Sequence, residues 1–132
     1  AIAGMLAMEP DMLILDEPTA GLDPKGKIEI LDKIKSIQQE NHITVVLVSH
    51  TMEEVASYAD RDIAINNSRL LYDLPVHEIF ADPEALEVTG LAAPEVKYFV
   101  DELKEAGLDL DTSAITVEEA RDSILAALIS KR

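Results

Sequence analysis

The sequence predicts an α/β fold built on a parallel βαβ core, followed by a small helical region. Three observations predict it. Two short apolar runs, Met12-Leu13-Ile14-Leu15 and Ile43-Thr44-Val45-Val46-Leu47-Val48, have the length of buried strands. The stretch between them has helical periodicity and short connections, so strand, helix, strand forms a βαβ unit with parallel strands and a right-handed crossover. After about Phe80 the composition changes and the remaining pattern is helical.

The elements follow in chain order. Residues 1–8 read as the end of a helix. The chain begins at Ala1 rather than Met, and Ala1-Ile2-Ala3-Gly4-Met5-Leu6-Ala7 reads as helix interior. A segment of a longer protein is therefore expected. Glu9-Pro10-Asp11 is a break. Met12–Leu15 suits a strand buried on both faces, and Pro18 stops it because proline cannot donate to a ladder. Asp23 then serves as a helix N-cap with Pro24 at the first helical position. Ile28, Leu31, Ile34 and Ile37 recur at helical spacing, and Asn41-His42 ends the segment. The second strand, also read as buried, ends at Ser49-His50.

A further helix is expected at about Met52–Ala59. Ile63-Ala64-Ile65 and Leu70-Leu71-Tyr72 flank Asn66-Asn67-Ser68-Arg69, which reads as a hairpin. Pro94 opens a helix with Val96, Phe99, Val100 and Leu103 on its apolar side, closed by Gly107. Thr116 and Glu119 form a capping box for a last helix through Ala120, Ile124 and Leu128. A domain boundary is expected near residue 80, separating 1–80 from 81–132. No internal repeat or low-complexity stretch is evident.

Composition excludes several classes. The 132 residues carry 11 basic and 26 acidic side chains, a net charge of -15. Such a chain repels a phosphate backbone, which argues against a nucleic-acid surface. The acidic excess is spread evenly, as on a soluble surface. There are no cysteines, hence no disulfide frame, thiolate zinc site or cysteine nucleophile. This fits a cytosolic protein. No apolar run approaches the ~20 residues that cross a bilayer, so membrane association would come through a partner. No secretory signal is visible.

Asp16-Glu17 is the strongest chemical feature. Two adjacent carboxylates follow an apolar strand, at the carboxyl end where ligands of open α/β sheets sit. Like charges at that place need a cation or a donor to compensate them. Mg²⁺ with a phosphate ligand meets the need, since the ion takes one or two carboxylates, waters and phosphate oxygens. Asp16 is the natural metal-side group, and Glu17 could polarise a water for attack on phosphorus. The alternative is a turn with two capping or salt-bridged acids. His50 ends the second strand, and parallel topology puts it on the same sheet edge. There it could donate to a terminal phosphate, although a lone histidine at a strand end is commonly structural. His42 and His77 lack such a context and read as surface residues.

Gly21-Leu22-Asp23-Pro24-Lys25-Gly26-Lys27 matches most of the phosphate-loop pattern G-x-x-x-x-G-K-[ST] but fails at Ile28. It also fails physically. A phosphate cradle needs consecutive backbone N–H groups; Pro24 has none, and Asp23 places negative charge where phosphate would lie. Gly21 reads as a turn residue and Asp23 as a helix cap.

The order of these motifs resembles ABC ATPases. Leu13-Ile14-Leu15-Asp16-Glu17-Pro18 is similar to their Walker B strand with the catalytic glutamate. Thr19-Ala20-Gly21-Leu22-Asp23-Pro24 resembles their D-loop, and Val48-Ser49-His50 their histidine switch. Met52-Glu53-Glu54-Val55-Ala56 and Ala59-Asp60-Arg61 resemble the helix and turn after that switch. The resemblance covers about residues 1–80 and implies a partial P-loop NTPase domain of the ABC type, with ATP and Mg²⁺ as ligands. It implies Mg²⁺ binding by Asp16, water activation by Glu17 and contact of His50 with the terminal phosphate. For Asp23 it implies a contact with a second ATPase subunit. The family's phosphate loop, Q-loop and LSGGQ-type signature do not occur in these 132 residues, so turnover by the isolated chain is not expected.

Pro75, Glu78-Ile79-Phe80, Leu91-Ala92-Ala93-Pro94-Glu95-Val96 and Ile115-Thr116-Val117-Glu118-Glu119-Ala120 resemble the tail of energy-coupling factor (ECF) transporter ATPases. That resemblance implies an ATP-hydrolysing subunit driving uptake of a vitamin or of cobalt or nickel ions. It would work at the cytoplasmic face of the membrane, paired with a second ATPase subunit (identical or sister) and with transmembrane subunits. Residues 81–132 would then help the ATPase subunits associate. Two alternatives stay open: a non-transport ABC ATPase of DNA repair or translation, and a non-catalytic dimerisation or interaction fragment.

Overall fold

The computed structural model describes Gly4 and residues 9–130. The helix expected over 1–8 lies outside the described residues, apart from Gly4. The chain divides into two compact units, Ala1–His50 and Thr51–Arg132.

The first unit is the expected βαβ. Strand β1 (Met12–Asp16) leads to helix α1 (Pro24–Asn41) and then to β2 (Thr44–Val48). The two strands are parallel, in register from Met12 opposite Thr44 to Asp16 opposite Val48. Asp23 caps α1: its carboxylate accepts the Gly26 N–H at 3.0 Å, with Pro24 in the first turn. His42 closes the helix in the left-handed conformation, φ 52°. The interior draws on Leu13 and Leu15 of β1, Leu31, Ile34 and Ile37 of α1, and Ile43. Each such side chain contributes about 1.5–3 kcal/mol when fully buried.

One expectation is corrected here. The strands are not buried on both faces. Met12, Ile14, Val46 and Val48 are 54%, 63%, 39% and 47% exposed. Alternation along a strand sends neighbouring side chains to opposite faces, and in β1 only the face carrying Leu13 and Leu15 is buried.

The second unit holds α2 (Met52–Tyr58), the strands β3 (Arg61–Asn66) and β4 (Arg69–Pro75), and helices α3 (Val76–Ile79), α4 (Pro83–Glu87), α5 (Glu95–Glu105) and α6 (Val117–Ser130). β3 and β4 form the expected antiparallel hairpin. Its two-residue turn, Asn67-Ser68, has φ 48° and 59°, as the tightest hairpin turns require at both central positions. Across the hairpin the Arg61 guanidinium grips both oxygens of Asp73, and Tyr72 donates to Asp62 at 3.2 Å. The Arg61 bond holds the Asp73 carboxyl below its ordinary range.

Two apolar clusters organise this unit. In one, Val55 and Ala56 of α2 pack with Val76, Phe80, Ala93 and Ile115. In the other, Val100 of α5 packs with Leu110, Ala114, Ala120 and Ala127. Lys97 is buried, and its ammonium donates to Asp101 at 2.7 Å and to the Thr112 carbonyl at 2.9 Å. Those partners offset the cost of taking a charge out of water. The expected capping box is present: Thr116 Oγ1 accepts the Glu119 N–H at 3.3 Å, and Glu119 accepts the Thr116 N–H at 3.2 Å. The compact units part at His50, whereas the composition changes near residue 80. The difference has a physical origin, because α2 takes its apolar partners from residues 76–115.

Candidate functional site

The carboxyl edge of the β1–β2 pair carries the site. Asp16 and Val48 form the last strand pair, and the Glu17 N–H extends the ladder by one bond to the Val48 carbonyl at 2.9 Å. Pro18 follows and ends it. Glu17 has φ 46°, a left-handed conformation unusual for a residue with a side chain. His50 Nδ1 lies 2.7 Å from Glu17 Oε1. The Glu17 side chain is one-third exposed, at 33%, and that of His50 is 85% exposed. An ionised carboxylate only accepts, so opposite it Nδ1 carries the hydrogen and Nε2 is left for another partner.

Asp16 stands at the same strand end and is exposed, on the face that also carries Met12 and Ile14. The parallel register thus brings all three expected residues to one edge, and it bonds Glu17 to His50 directly. Among the described residues no group of three or more His, Cys, Asp or Glu is placed to hold a metal ion. A single exposed carboxylate beside a second acid is nevertheless a donor set that fits Mg²⁺, which fills its shell with water and phosphate oxygens.

Beyond Glu17 the chain turns tightly. The Ala20 N–H bonds to the Glu17 carbonyl at 3.0 Å and the Leu22 N–H to the Thr19 carbonyl at 3.2 Å. Thr19 is buried, and Gly21 has φ 77°. Lys25, Gly26 and Lys27 are already in the first turn of α1. A Cβ on Gly26 would stand 2.7 Å from Asp23 Oδ1. That carboxylate therefore occupies the approach to the Gly26 N–H, and the stretch is a helix cap rather than a phosphate cradle.

His77, read from the sequence as a plain surface residue, is exposed but bonded: its Nε2 is 2.9 Å from Glu119 Oε1. A cleft of about 610 Å³ lies beside this pair. Its lining residues all belong to the second unit and include none of Asp16, Glu17 or His50. One polar link had no local signal in the sequence. Glu53 accepts the Glu95 N–H at 3.3 Å across 42 residues of chain.

Known proteins resemble the chain throughout this region. The energy-coupling factor transporter ATP-binding protein EcfA2 of Clostridium acetobutylicum is 48% identical over 132 residues, all of this chain and 46% of that protein. EcfA2 of Clostridium perfringens is 46% identical over 125 residues, 95% of this chain and 44% of that protein. Across 95% or more of its length the chain is homologous to these energy-coupling factor ATP-binding proteins. It spans about half the length of the curated relatives it matches. Among solved structures, cbiO1 of Clostridium perfringens, described as part of the ABC transporter complex cbiONQ, superposes with a TM-score of 0.60. It shares 35% identity over 80% of this chain and 38% of cbiO1. The α/β fold with its parallel strand pair is thus part of an ABC ATPase fold. No protein-family model matches the energy-coupling factor-like chain. Among its described residues, no helix is long and apolar enough to cross a membrane.

Proposed function

We propose that this chain is the hydrolytic part of an ATP-hydrolysing subunit in an ECF-type importer, with Glu17 and His50 as its catalytic residues. The observation that carries the proposal is the 2.7 Å contact between His50 and Glu17 at the edge where Asp16 also lies. Glu17 accepts a hydrogen bond from the attacking water and orients its lone pair toward the terminal phosphorus of ATP. The water oxygen bonds to that phosphorus as the bond to the bridging oxygen breaks, and the proton the water sheds passes by way of Glu17 to a phosphate oxygen, giving ADP and inorganic phosphate. With a hydrogen on each ring nitrogen, His50 keeps its Nδ1–H on Glu17 and donates its Nε2–H to the terminal phosphate as charge builds on the phosphate oxygens. Asp16 holds Mg²⁺, which when bound neutralises phosphate charge.

The similarity to EcfA2 proteins supports the transport assignment. In this reading residues 1–80 belong to the nucleotide-binding domain and 81–132 form an appendage that promotes subunit association. A second ATPase subunit meets the turn ending at Asp23, and transmembrane subunits hold the assembly at the cytoplasmic face of the membrane. The phosphate grip comes from sequence other than these 132 residues, so the isolated chain should not turn over ATP. Exposed Leu125 and Leu128 on α6, 50% and 54% accessible, suit the associating role.

The deciding experiment is Glu17→Gln in the full-length parent. ATP binding should persist while turnover falls at least about 100-fold, the scale of losing a group that acts on the attacking nucleophile. Wild-type turnover would remove Glu17 from the mechanism.

A further inference from the structure

We infer that Pro18 is a positioning residue for ATP turnover: it holds the turn that fixes the Glu17 backbone and so aims the Glu17 carboxylate. This rests on the ATPase reading above. Glu17, Pro18, Ala20 and His50 all belong to the first unit, which runs to His50. Glu17 is clamped at both of its main-chain groups. Its N–H donates to the Val48 carbonyl at 2.9 Å, and its own carbonyl accepts the Ala20 N–H at 3.0 Å. Between these bonds the residue sits at φ 46°, a conformation that persists only where the surroundings over-determine it.

Pro18 supplies part of that constraint. It is the second residue of the turn that the Ala20 N–H closes, the position where a ring-fixed φ suits both common turn types. A proline also disfavours the right-handed helical region for the residue before it, so Glu17 is denied one relaxed alternative. The turn has no slack on its far side. A second turn starts at Thr19, whose carbonyl accepts the Leu22 N–H at 3.2 Å with Gly21 at φ 77°, and Asp23 then caps α1. The Glu17 side chain is one-third exposed, and its Oε1 meets His50 Nδ1 at 2.7 Å. Packing therefore restrains it only in part, and the Cα–Cβ direction that the main chain sets decides whether the carboxylate reaches His50. A turn that merely ended the strand would have no need to hold the residue before it in a left-handed conformation.

The test uses the full-length parent and steady-state ATP hydrolysis. Pro18→Ala should lower kcat about two- to fivefold, the scale of the conformational freedom that proline removes. Ala20→Pro deletes the N–H that closes the turn, at a position that suits proline in the second turn. It should lower kcat about three- to tenfold, the scale of one lost hydrogen bond. KM for ATP should stay within about twofold of wild type in both. Glu17→Ala leaves no carboxylate to aim, so combining it with either change should lower its residual turnover no further. Wild-type kcat in either variant overturns the inference. So does the same proportional loss in the Glu17→Ala background, or the disappearance of a cooperative thermal transition, since either marks a purely structural turn. Glu17→Ala by itself separates the two readings. If it abolishes turnover while Pro18→Ala is silent, only the positioning role fails; if it leaves turnover intact, the ATPase reading fails and the positioning role with it.

Discussion

His50 Nδ1 and Glu17 Oε1 lie 2.7 Å apart, joining the ends of two parallel strands across 33 residues of chain. The contact needs the whole βαβ unit, because a slip of one residue in either strand would send its side chains to the opposite face. It also occupies one imidazole nitrogen and leaves the other for a further partner.

His50→Ala in the full-length parent should therefore lower ATP turnover about 10- to 100-fold, as when a donor to a developing anion is removed. ATP affinity should change by less than about threefold. Parallel measurement of kcat and nucleotide binding checks this. An equal loss in both would make His50 a binding residue only.

The cap of α1 couples two residues. Asp23→Ala should cost about 1 kcal/mol of unfolding free energy through the lost bond to the Gly26 N–H. Gly26→Ala alone should be close to neutral. The new methyl displaces the Asp23 carboxylate from its 2.7 Å position, offsetting the roughly 1 kcal/mol gain in helix propensity. In the Asp23→Ala background the same change should stabilise by up to that amount. Denaturant titration of the four proteins gives the coupling, and additive effects would contradict the geometry.

Phe80 is fully buried, with 0% exposure, and packs in the cluster that α2 shares. Phe80→Ala should cost about 3–5 kcal/mol. Val88 is 89% exposed, and Val88→Ala should stay within about 0.5 kcal/mol of wild type. Urea unfolding of both variants distinguishes core from surface.

Glu119 gives the second unit an acid limit. Partial burial raises its carboxyl, but the Ile115 N–H, the His77 ring and the Thr116 N–H outweigh that, and the net shift is downward from the ordinary 4.5. A depressed acid stabilises the fold above its unfolded value and loses that contribution as pH falls through its folded value. Thermal midpoints should therefore hold above pH 4.5 and decline below it. Glu119→Gln should flatten part of that decline; an unchanged slope would remove Glu119 as a source.

The placement of Asp16, Glu17 and His50 at one sheet edge was legible in the sequence because local signals bound each strand. Pro18 ends the first, Asp23-Pro24 starts the helix, and the apolar run into Ser49-His50 marks the second. Parallel topology then forces one edge. The exposure of Met12 and Ile14 was not legible, since an apolar residue does not reveal what covers it. Helices Val76–Ile79 and Pro83–Glu87 are too short for periodicity to emerge. The link from Glu53 to Glu95 joins residues 42 apart and leaves no local trace. Composition near residue 80 records a change in residue usage, whereas packing follows Val55 and Ala56 to their partners.

Glu17 sits at φ 46°, where a side chain costs of order 1 kcal/mol that glycine would not incur. Glycine at this position should yield a more stable protein with no carboxylate to orient water. If Glu17 orients water as proposed, selection for folding and selection for hydrolysis pull position 17 in opposite directions. A library screened only for thermal survival should discard the glutamate early.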